Sequence, residues 1–212
     1  MTQSRELYDA VLNGDAKKAR AATEAELASG VAPMTVISES MVPAMDEVGR
    51  LFQEEEYFVP ELLLSGRAMK SALEILHPLL VGLGQKLATK VVIGTVKGDL
   101  HDIGKNIVAS MLEGSGFEVI DLGTDVAPEK FVAAVEELKP QIVCMSALLT
   151  VTMPAMRTTI DALRTAGLRT KVKILIGGAP VTSQYANEIG ADGYSESASG
   201  AVGLVRNLVA GA

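Results

Sequence analysis

A short polar segment near the middle of the chain carries the residues best suited to chemistry. It reads GTVKGDLHDIGKN and places Asp99 two positions before His101. On an irregular loop this spacing lets the carboxylate curl back onto the imidazole, which fixes the tautomer and leaves the other ring nitrogen free to bind a metal. Asp102 is expected to cap the following helix, with Gly104 in its first turn. Alone, the pair is weak evidence for a metal site, because loop histidines are often only solvated or capping groups.

Two further segments carry small or polar residues where predicted strands end. Ser146-Ala147-Leu148 follows the third predicted strand, and Gly177-Gly178 follows the fourth. Glycines remove side chains that would obstruct a ligand, although a glycine pair by itself is better explained as a tight strand-to-helix turn. In an open parallel sheet, ligands bind outside the carboxyl ends of the strands, so all three loops belong to the edge where a site is expected.

The elements that position these loops follow from the hydrophobic pattern. From Lys90 onward, apolar runs of strand length alternate with helical segments, and strands that are apolar at nearly every residue are buried on both faces. The pattern predicts a doubly wound α/β domain with five parallel strands in flavodoxin-like order. The predicted strands are 91–96, 118–122, 142–147, 172–176 and 192–194, and the predicted helices are 103–114, 128–139, 154–166, 181–189 and 199–209.

The N-terminal part has a different pattern, rich in Ala, Glu, Leu and Met at spacings of three and four residues. It predicts four helices, at 5–12, 16–29, 33–52 and 60–77, packed as an antiparallel bundle. Met41, Met45 and Met69 are expected in its core, and His77 at the carboxyl end of the last helix. The stretch 79–89 contains two glycines and is the predicted linker, so we expect a cap domain at 1–88 and an α/β domain at 89–212.

Charge and cysteine content exclude some classes of protein. The net charge of -7 is made of interspersed signs, which argues against nucleic acid or an anionic membrane as the main partner. The single Cys144 lies in an apolar run and is expected to be a buried strand residue in a reducing compartment. The chain begins without a signal-peptide pattern and has no run of about 20 apolar residues, so we expect a cytoplasmic protein.

The three loop motifs, taken in order, resemble a known cofactor-binding fold. Asp-x-His-x-x-Gly at 99–104, Ser-x-Leu at 146–148 and Gly-Gly at 177–178 are similar to the base-displaced cobalamin-binding fold. Methionine synthase, several adenosylcobalamin mutases and the corrinoid proteins of methyltransferase systems share it. The resemblance implies a cobalamin or related corrinoid, with His101 as the lower ligand of cobalt and Asp99 as its orienter. Thr152 would extend this hydrogen-bond chain to solvent, and the other implied cofactor contacts are Asp102, Ile103, Gly104, Ser146, Leu148, Thr150, Gly177 and Gly178.

The N-terminal half distinguishes among these relatives. The stretch VGRLFQEEEYFVPELLLSGRAMK resembles the helical cap of methionine synthase and of the methanol, methylamine and methyl-ether corrinoid proteins, and the positions that would touch the methyl ligand are Phe52, Val59 and Leu62. The resemblance implies a methyl carrier that is not a stand-alone catalyst. Its Co(I) would accept a methyl group through a substrate-specific methyltransferase and pass it to a second methyltransferase that acts on tetrahydrofolate or coenzyme M. A reductive activase is the third expected partner.

Three other functions remain open at this point. The cobalamin-binding subunit of an adenosylcobalamin mutase shares Asp-x-His-x-x-Gly but does not normally carry a methyl-type cap. A cobalamin-based sensor has a helical cap, yet we would expect an attached DNA-binding or signalling domain. A flavodoxin-like module without cobalt would show no change in absorption spectrum when a corrinoid is added.

Overall fold

The computed structural model describes residues 5–82 and 89–210, with only the backbone described at residues 81, 82 and 210. The contacts among these residues form two compact units. The first unit takes the described residues of 1–88 together with 110–117, and the second takes those of 89–109 and 118–212. The predicted domain boundary after residue 88 lies outside the described residues, and the predicted division stays a prediction.

The first unit is helical. Asp15 caps the second helix by accepting a hydrogen bond from Lys18 N at 3.0 Å. Ser65 donates to the carbonyl of Leu12 at 2.9 Å, which satisfies a group left unpaired at the end of the first helix. The predicted methionines Met41, Met45 and Met69 are all buried. The elements of this unit are α1 (Arg5–Leu12), α2 (Ala16–Ala28), α3 (Pro33–Val36), a π-helical turn (Ile37–Met41), α4 (Val42–Gln53) and α5 (Val59–Gly82).

The third predicted helix, 33–52, is interrupted by the π-helical turn. Pro43 stands just after this turn and has no N–H to donate, and its ring would clash with the carbonyl four residues earlier in a regular α-helix. In the widened turn Val42 N donates to the carbonyl of Ile37. The extra residue per turn therefore lets the chain remain helical past the proline.

The fourth helix was predicted to end before Pro78, and this prediction is wrong. Helix α5 continues through Pro78 to Gly82. Leu76 and Leu80 are buried on either side of the proline, and their burial offsets the roughly 3 kcal/mol that an interior proline costs. His77 therefore lies exposed in the helix interior and does not cap a carboxyl end. Residues 79–82 of the predicted linker are helical, and 83–88 lie outside the described residues.

The second unit is built on a parallel five-stranded sheet whose strands are β1 (Lys90–Thr95), β2 (Glu118–Asp121), β3 (Ile142–Ser146), β4 (Lys173–Gly177) and β5 (Gly193–Tyr194). Their order is β2-β1-β3-β4-β5, so the predicted flavodoxin-like α/β fold is confirmed. The remaining helices are α6 (Ile103–Gly114), α7 (Pro128–Leu138), α8 (Pro154–Thr165), a 3₁₀ turn (Arg169–Lys171), α9 (Ser183–Ile189) and α10 (Ala198–Ala210).

Strands β1, β3 and β4 end at the same level of the sheet. Thr95 of β1 is paired with Ser146 of β3, which is paired in turn with Gly177 of β4. The loops after these strands therefore start side by side, at the point where the strand order reverses and ligands bind in such sheets. Cys144 is buried in β3, and burial raises the pKa of its thiol to about 12. Within the described residues, no helix combines the length and apolar character needed to cross a membrane.

Candidate functional site

The loop after β1 begins with a tight turn. Asp99 N donates to the carbonyl of Val96 at 3.1 Å, and Gly98 has a φ of +84°. A positive φ at the third position of such a turn favours glycine, because a side chain there would meet the backbone. The turn directs the chain back across the sheet edge, so that the Asp99 side chain is completely buried.

Asp99 holds His101 through one of its carboxylate oxygens. Oδ1 accepts a hydrogen bond from His101 N at 3.0 Å and lies 2.7 Å from Nδ1 of the same residue. The backbone bond closes a short ring from an aspartate side chain to the N–H two residues on, and this local motif lets an irregular loop hold one conformation. The predicted pairing of Asp99 with His101 is therefore present.

The second oxygen of Asp99 binds the loop after β3. Oδ2 accepts hydrogen bonds from Leu148 N at 2.8 Å and Leu149 N at 3.3 Å. It also lies 2.7 Å from Oγ1 of Thr152, whose hydroxyl has a second acceptor in the carbonyl of Leu149 at 2.8 Å. A single carboxylate thus joins the loops after β1 and β3, and it brings Thr152 next to the residue that the sequence paired it with.

These contacts determine the charge of Asp99. Burial would raise its pKa, but hydrogen bonds from the Thr152 hydroxyl, from the backbone and ring of His101 and from Leu148 N–H lower the pKa well below its usual range. The carboxylate is therefore ionised at neutral pH and acts as an acceptor. Since the imidazole must donate to it, the proton of a neutral His101 lies on Nδ1 and the lone pair on Nε2.

The His101 ring is available to a ligand. Its side chain is 50% exposed, and no described residue forms a hydrogen bond with Nε2. Among the described residues there is also no cluster of three or more His, Cys, Asp and Glu side chains that could hold a metal by itself. The Nε2 atom of His101 therefore has no hydrogen bond to a described residue, in a side chain that is half exposed.

Apolar side chains in the same two loops are unusually exposed. Leu100 and Ile103 flank His101 and are 73% and 74% exposed, and Val151, beside Thr152, is 80% exposed. Leu148 and Leu149 are also exposed, although their backbone groups bind the buried Asp99. Clustered exposed apolar residues of this kind mark a surface that a ligand or partner covers.

The start of α6 carries the remaining residues of the first motif. The carboxylate of Asp102 accepts a hydrogen bond from the side-chain amide of Asn106 at 3.1 Å. A Cβ built on Gly104 would meet no atom within 4 Å, so this position faces open space. Lys105 is almost fully buried, and its ammonium group binds Asn106 Oδ1 at 2.7 Å and the carboxylate of Asp121.

Gly178 is needed by the turn after β4. Its φ is +125°, and a Cβ there would lie 1.9 Å from the carbonyl oxygen of Ala147. The carbonyl of Gly178 also accepts a hydrogen bond from Val181 N at 2.9 Å, so this glycine meets the demands of a tight turn. A Cβ on Gly177 would come only within ordinary contact of Ser195 O at 3.4 Å. Ser146 is partly buried and Thr150 is exposed, at the end of β3 and in the loop after it.

The three predicted cap residues belong to the first unit and differ in exposure. Phe52, near the end of α4, and Val59, at the start of α5, are partly buried. Leu62 is completely buried.

Some residues of this region were not predicted from the sequence. Thr95 is completely buried at the end of β1 and donates to the carbonyl of His101 at 3.0 Å. Leu149 N–H binds Asp99, and Asp125 binds the turn at Gly98 with its carboxylate 2.7 Å from Gly98 N. A polar residue after β2 could have been anticipated, because β2 is the neighbour of β1 in flavodoxin-like order. The backbone contact of Leu149 leaves no signal in residue type.

The chain is similar to several known proteins. A trimethylamine corrinoid protein of Methanosarcina mazei is 45% identical over 196 residues, which cover 91% of this chain and 89% of that protein. The crystal structure of a cobalamin-binding protein from Desulfitobacterium hafniense is 37% identical with a TM-score of 0.78, covering 95% of this chain and 96% of that one. A chain of the methanol:cobalamin methyltransferase complex MtaBC from Methanosarcina barkeri is 31% identical with a TM-score of 0.85, covering 98% of this chain and 79% of that one.

Two family models match as well, and both are described as a B12 binding domain. One covers residues 89–203, which is more than half of the chain, and the other covers residues 3–77. The matches span the sheet that carries His101 and the helices that precede it. The chain therefore belongs to the B12-binding family, and its cofactor is a corrinoid.

Proposed function

We propose that this protein is a methyl carrier of a corrinoid-dependent methyltransferase system. The observation that carries the proposal is the His101 imidazole, whose Nδ1 is held 2.7 Å from a completely buried Asp99 carboxylate while the ring stays half exposed. Relatives with this fold include the trimethylamine corrinoid protein and a chain of the methanol:cobalamin methyltransferase complex, and both names support a methyl-transfer system.

The residues of the second unit fit a corrinoid. A bound corrinoid supplies a cobalt centre that can accept a methyl group from one molecule and release it to another. His101 would bind the cobalt through Nε2, since its Nδ1 is committed to Asp99. The ionised Asp99 accepts a hydrogen bond from the Nδ1–H of His101, which would raise the basicity of Nε2 and holds the ring in one orientation. The exposed apolar side chains beside His101 could contact the apolar parts of a corrinoid.

A proton would be held at Nε2 of His101 if that nitrogen bound no cobalt, because a protonated imidazole can still donate its Nδ1–H to the ionised Asp99. Thr152 supports the carboxylate through its hydroxyl, 2.7 Å from Oδ2, and is itself almost fully buried. We propose that Asp99, His101 and Thr152 together couple the protonation of the imidazole to its binding of cobalt.

The remaining cofactor contacts are proposed from the resemblance to the family. Ser146, Gly177 and Gly178 would line the path of the displaced nucleotide tail at the carboxyl ends of β3 and β4. The open space beside Gly104 supports close approach of the cofactor at the start of α6. The other proposed contacts in this unit are Asp102, Ile103, Leu148 and Thr150.

The helical unit is proposed to protect the methyl group. From the resemblance to the family, Phe52, Val59 and Leu62 would be the apolar residues of this unit that protect the methyl group. Phe52 and Val59 retain partial exposure, which suits residues that contact a ligand, whereas complete burial of Leu62 suits a supporting position.

The partners follow from the reaction. A methyltransferase that holds the methylated substrate is the first, and the likeness to the methanol complex supports a partner of this kind. A second methyltransferase that delivers the methyl group to tetrahydrofolate or coenzyme M, and a reductive activase, are our further proposals. We place the system in the cytoplasm, where a reduced and buried Cys144 is ordinary.

Transfer of a labelled methyl group tests the function. The corrinoid-loaded, reduced protein is incubated with a trimethylamine methyltransferase and labelled trimethylamine, or with a methanol methyltransferase and labelled methanol, and is then passed through gel filtration. We expect label to stay with the protein in at least one pairing and to leave it when a second methyltransferase and its acceptor are added. The corrinoid-free protein is the control and should retain no label. If the protein retained label from neither methyl donor and supported a rearrangement with adenosylcobalamin, the proposed methyl-carrier function would be wrong. The mutase-subunit function would then be favoured.

A further inference from the structure

The loop after β2 is bonded along the end of β1. Leu122 N donates to the carbonyl of Ile93 at 2.8 Å, and Thr95 N donates to the carbonyl of Gly123 at 3.0 Å. Beyond the regular strands, Val126 N donates to the carbonyl of Thr95 at 2.9 Å. The segment between Leu122 and Val126 is thus held beside the loop that carries Asp99 and His101.

Asp125 lies in this segment and binds the turn before Asp99 at three points. Its backbone N–H donates to the carbonyl of Asp99 at 2.9 Å. Its Oδ1 accepts from Gly98 N at 2.7 Å, and its Oδ2 accepts from the ammonium group of Lys97 at 2.9 Å. The backbone of Gly98 and Asp99 is therefore held on one side by β1 and on the other by Asp125.

The conformation of Asp125 is unusual for a residue with a side chain. Its φ is +52°, in the left-handed region that aspartate, asparagine and glycine tolerate best. The Gly98 N–H and the Lys97 ammonium lower the pKa of its carboxyl, against a smaller effect of burial, so the group is ionised at neutral pH. An uncommon backbone conformation persists where surrounding contacts determine it, and here those contacts are with the loop that carries Asp99 and His101.

We infer that Asp125 is a positioning residue for the cobalt ligand. This inference rests on the proposed function, because Asp125 can position a cobalt ligand only if His101 binds cobalt. The direction of the Asp99 side chain follows from its backbone, and its hydrogen bonds tolerate displacements of only about 0.5 Å. By holding Gly98 N and the carbonyl of Asp99, Asp125 keeps both oxygens of Asp99 aligned with His101 and with the loop after β3.

Three substitutions separate the carboxylate from the backbone conformation. Asp125→Gly keeps the left-handed backbone and the N–H bond to Asp99 but removes the carboxylate. Asp125→Ala removes the carboxylate and disfavours the backbone conformation as well. Asp125→Asn tolerates the left-handed conformation and can still accept from Gly98 N through a neutral oxygen.

Two matched control variants test the ion pair and the left-handed backbone separately. Lys97→Ala removes the ion pair of Asp125, in which Lys97 is 57% exposed, and leaves the hydrogen bonds of Asp125 with Gly98 N and with the carbonyl of Asp99 intact. Lys139→Gly replaces another left-handed residue, with a φ of +51°, at the opposite end of α7. An exposed ion pair contributes little, and Lys139 lies away from the carboxyl edge of the sheet, so both variants are expected to behave as the parent.

Two measurements on the full-length chain test the inference. In the corrinoid-free protein, amide exchange at Gly98 should quicken about 10-fold or more in Asp125→Gly and Asp125→Ala, because the hydrogen bond to the carboxylate is lost. In the corrinoid-loaded protein, the ratio of imidazole-bound to imidazole-free Co(II), read from axial nitrogen coupling in electron paramagnetic resonance, should fall about 10-fold in the same variants. In Asp125→Asn this ratio should fall by only about 2- to 3-fold, since asparagine keeps a neutral acceptor.

The outcomes separate this inference from the proposed function. An unchanged ratio in Asp125→Gly with quickened exchange at Gly98 would overturn the positioning role and leave the His101–cobalt bond standing. A fall in Lys97→Ala as large as in Asp125→Gly would assign the effect to charge and also overturn it. A parent protein without axial nitrogen coupling, or a His101→Ala variant that retains it, would overturn the proposed ligand and with it the role of Asp125.

Discussion

Asp99 makes the hydrogen bonds that join the two main loops of the site. Its two oxygens serve different loops, since Oδ1 binds His101 and Oδ2 binds Leu148 N–H and the Thr152 hydroxyl. All of these partners are donors, so an ionised acceptor suits every one of them. Substitutions at Asp99 and His101 should therefore differ in kind, because His101 has one exposed face and Asp99 has none.

His101→Ala removes the proposed nitrogen ligand and changes no residue of the loops after β3 and β4. We expect the variant to bind a corrinoid, more weakly than the parent, and to lose the axial nitrogen coupling in the electron paramagnetic resonance of the Co(II) state. Its free energy of unfolding without cofactor should fall by about 0.5–1.5 kcal/mol, because the hydrogen bond from Nδ1 to the buried Asp99 is lost. A spectrum identical to that of the parent would show that another residue is the ligand.

Asp99→Asn keeps the shape of the side chain but supplies only one acceptor oxygen. Whichever way the amide turns, its NH₂ faces N–H or hydroxyl donors that the carboxylate satisfied. We expect the free energy of unfolding to fall by about 1–3 kcal/mol, because buried donors are left unpaired. Affinity for the corrinoid or the rate of methyl transfer should also fall about 10- to 100-fold, with the imidazole-bound spectrum still recognisable. Asp161→Asn is the control for denaturant titrations, since this aspartate is 55% exposed on α8.

At the scale of elements, the site depends on strands that end in register. Thr95, Ser146 and Gly177 are aligned across β1, β3 and β4, and the loops that follow meet within hydrogen-bond distance. The close approach of Gly178 to Ala147 holds the loops after β3 and β4 together. A shift of one loop would therefore be transmitted to its neighbour.

Gly178→Ala should disturb this contact between loops. The added Cβ meets the carbonyl oxygen of Ala147 at 1.9 Å, which can be relieved only by moving backbone. We expect a loss of about 3 kcal/mol or more in the free energy of unfolding and weaker binding of the corrinoid. Gly167→Ala is a matched control, because Gly167 also has a positive φ, +70°, but has no atom within 4 Å of a built Cβ. That control should lose only about 1–2 kcal/mol and bind the corrinoid as the parent does. If both variants lost the same free energy of unfolding, the effect of Gly178→Ala would be due to backbone conformation alone.

At the scale of the whole molecule, the chain comprises a helical unit and a parallel-sheet unit, and α6 contributes residues to both. Its first part, up to Ala109, is counted with the sheet, whereas Ser110–Phe117 is counted with the helices. The His101 loop and every hydrogen bond of Asp99 lie in the sheet unit. Cofactor binding and overall stability should therefore respond differently to removal of the helices.

A fragment of residues 89–212 tests this division. Because the fragment retains the Asp99–His101 pair and the loop that contains Gly177 and Gly178, we expect it to bind a corrinoid and co-elute with it in gel filtration. It should unfold at a lower denaturant concentration than the full chain, because Met111 and Leu112 are buried and belong to the segment counted with the helices. Exposing one such side chain costs about 1.5–3 kcal/mol. A folded fragment that fails to retain the corrinoid would move the main binding site into the helical unit.

Residue pattern alone determined the class of fold and the pair at the centre of the site. Apolar strands buried on both faces predict a parallel sheet because water-excluded strands leave no polar face, and the strand order, β2-β1-β3-β4-β5, agrees. Asp99 and His101 could be paired from sequence because the contact is local, closed by two residues of loop. The match of ordered motifs then predicted the corrinoid, which the family models confirm.

Tertiary structure decided what depends on distant backbone. The contact of Leu149 N–H with Asp99 is made through a main-chain group of another loop, which leaves no mark in residue type. The carboxylate of Asp125 meets Gly98 N only because the loops after β1 and β2 lie side by side. The passage of α5 through Pro78 likewise depends on the burial of Leu76 and Leu80 by neighbours, since proline alone favours a helix end. Local spacing specifies which residues can meet within a loop, whereas packing between elements specifies which loops meet. This packing aligned Asp99 with the hydrogen-bond donors that keep it ionised.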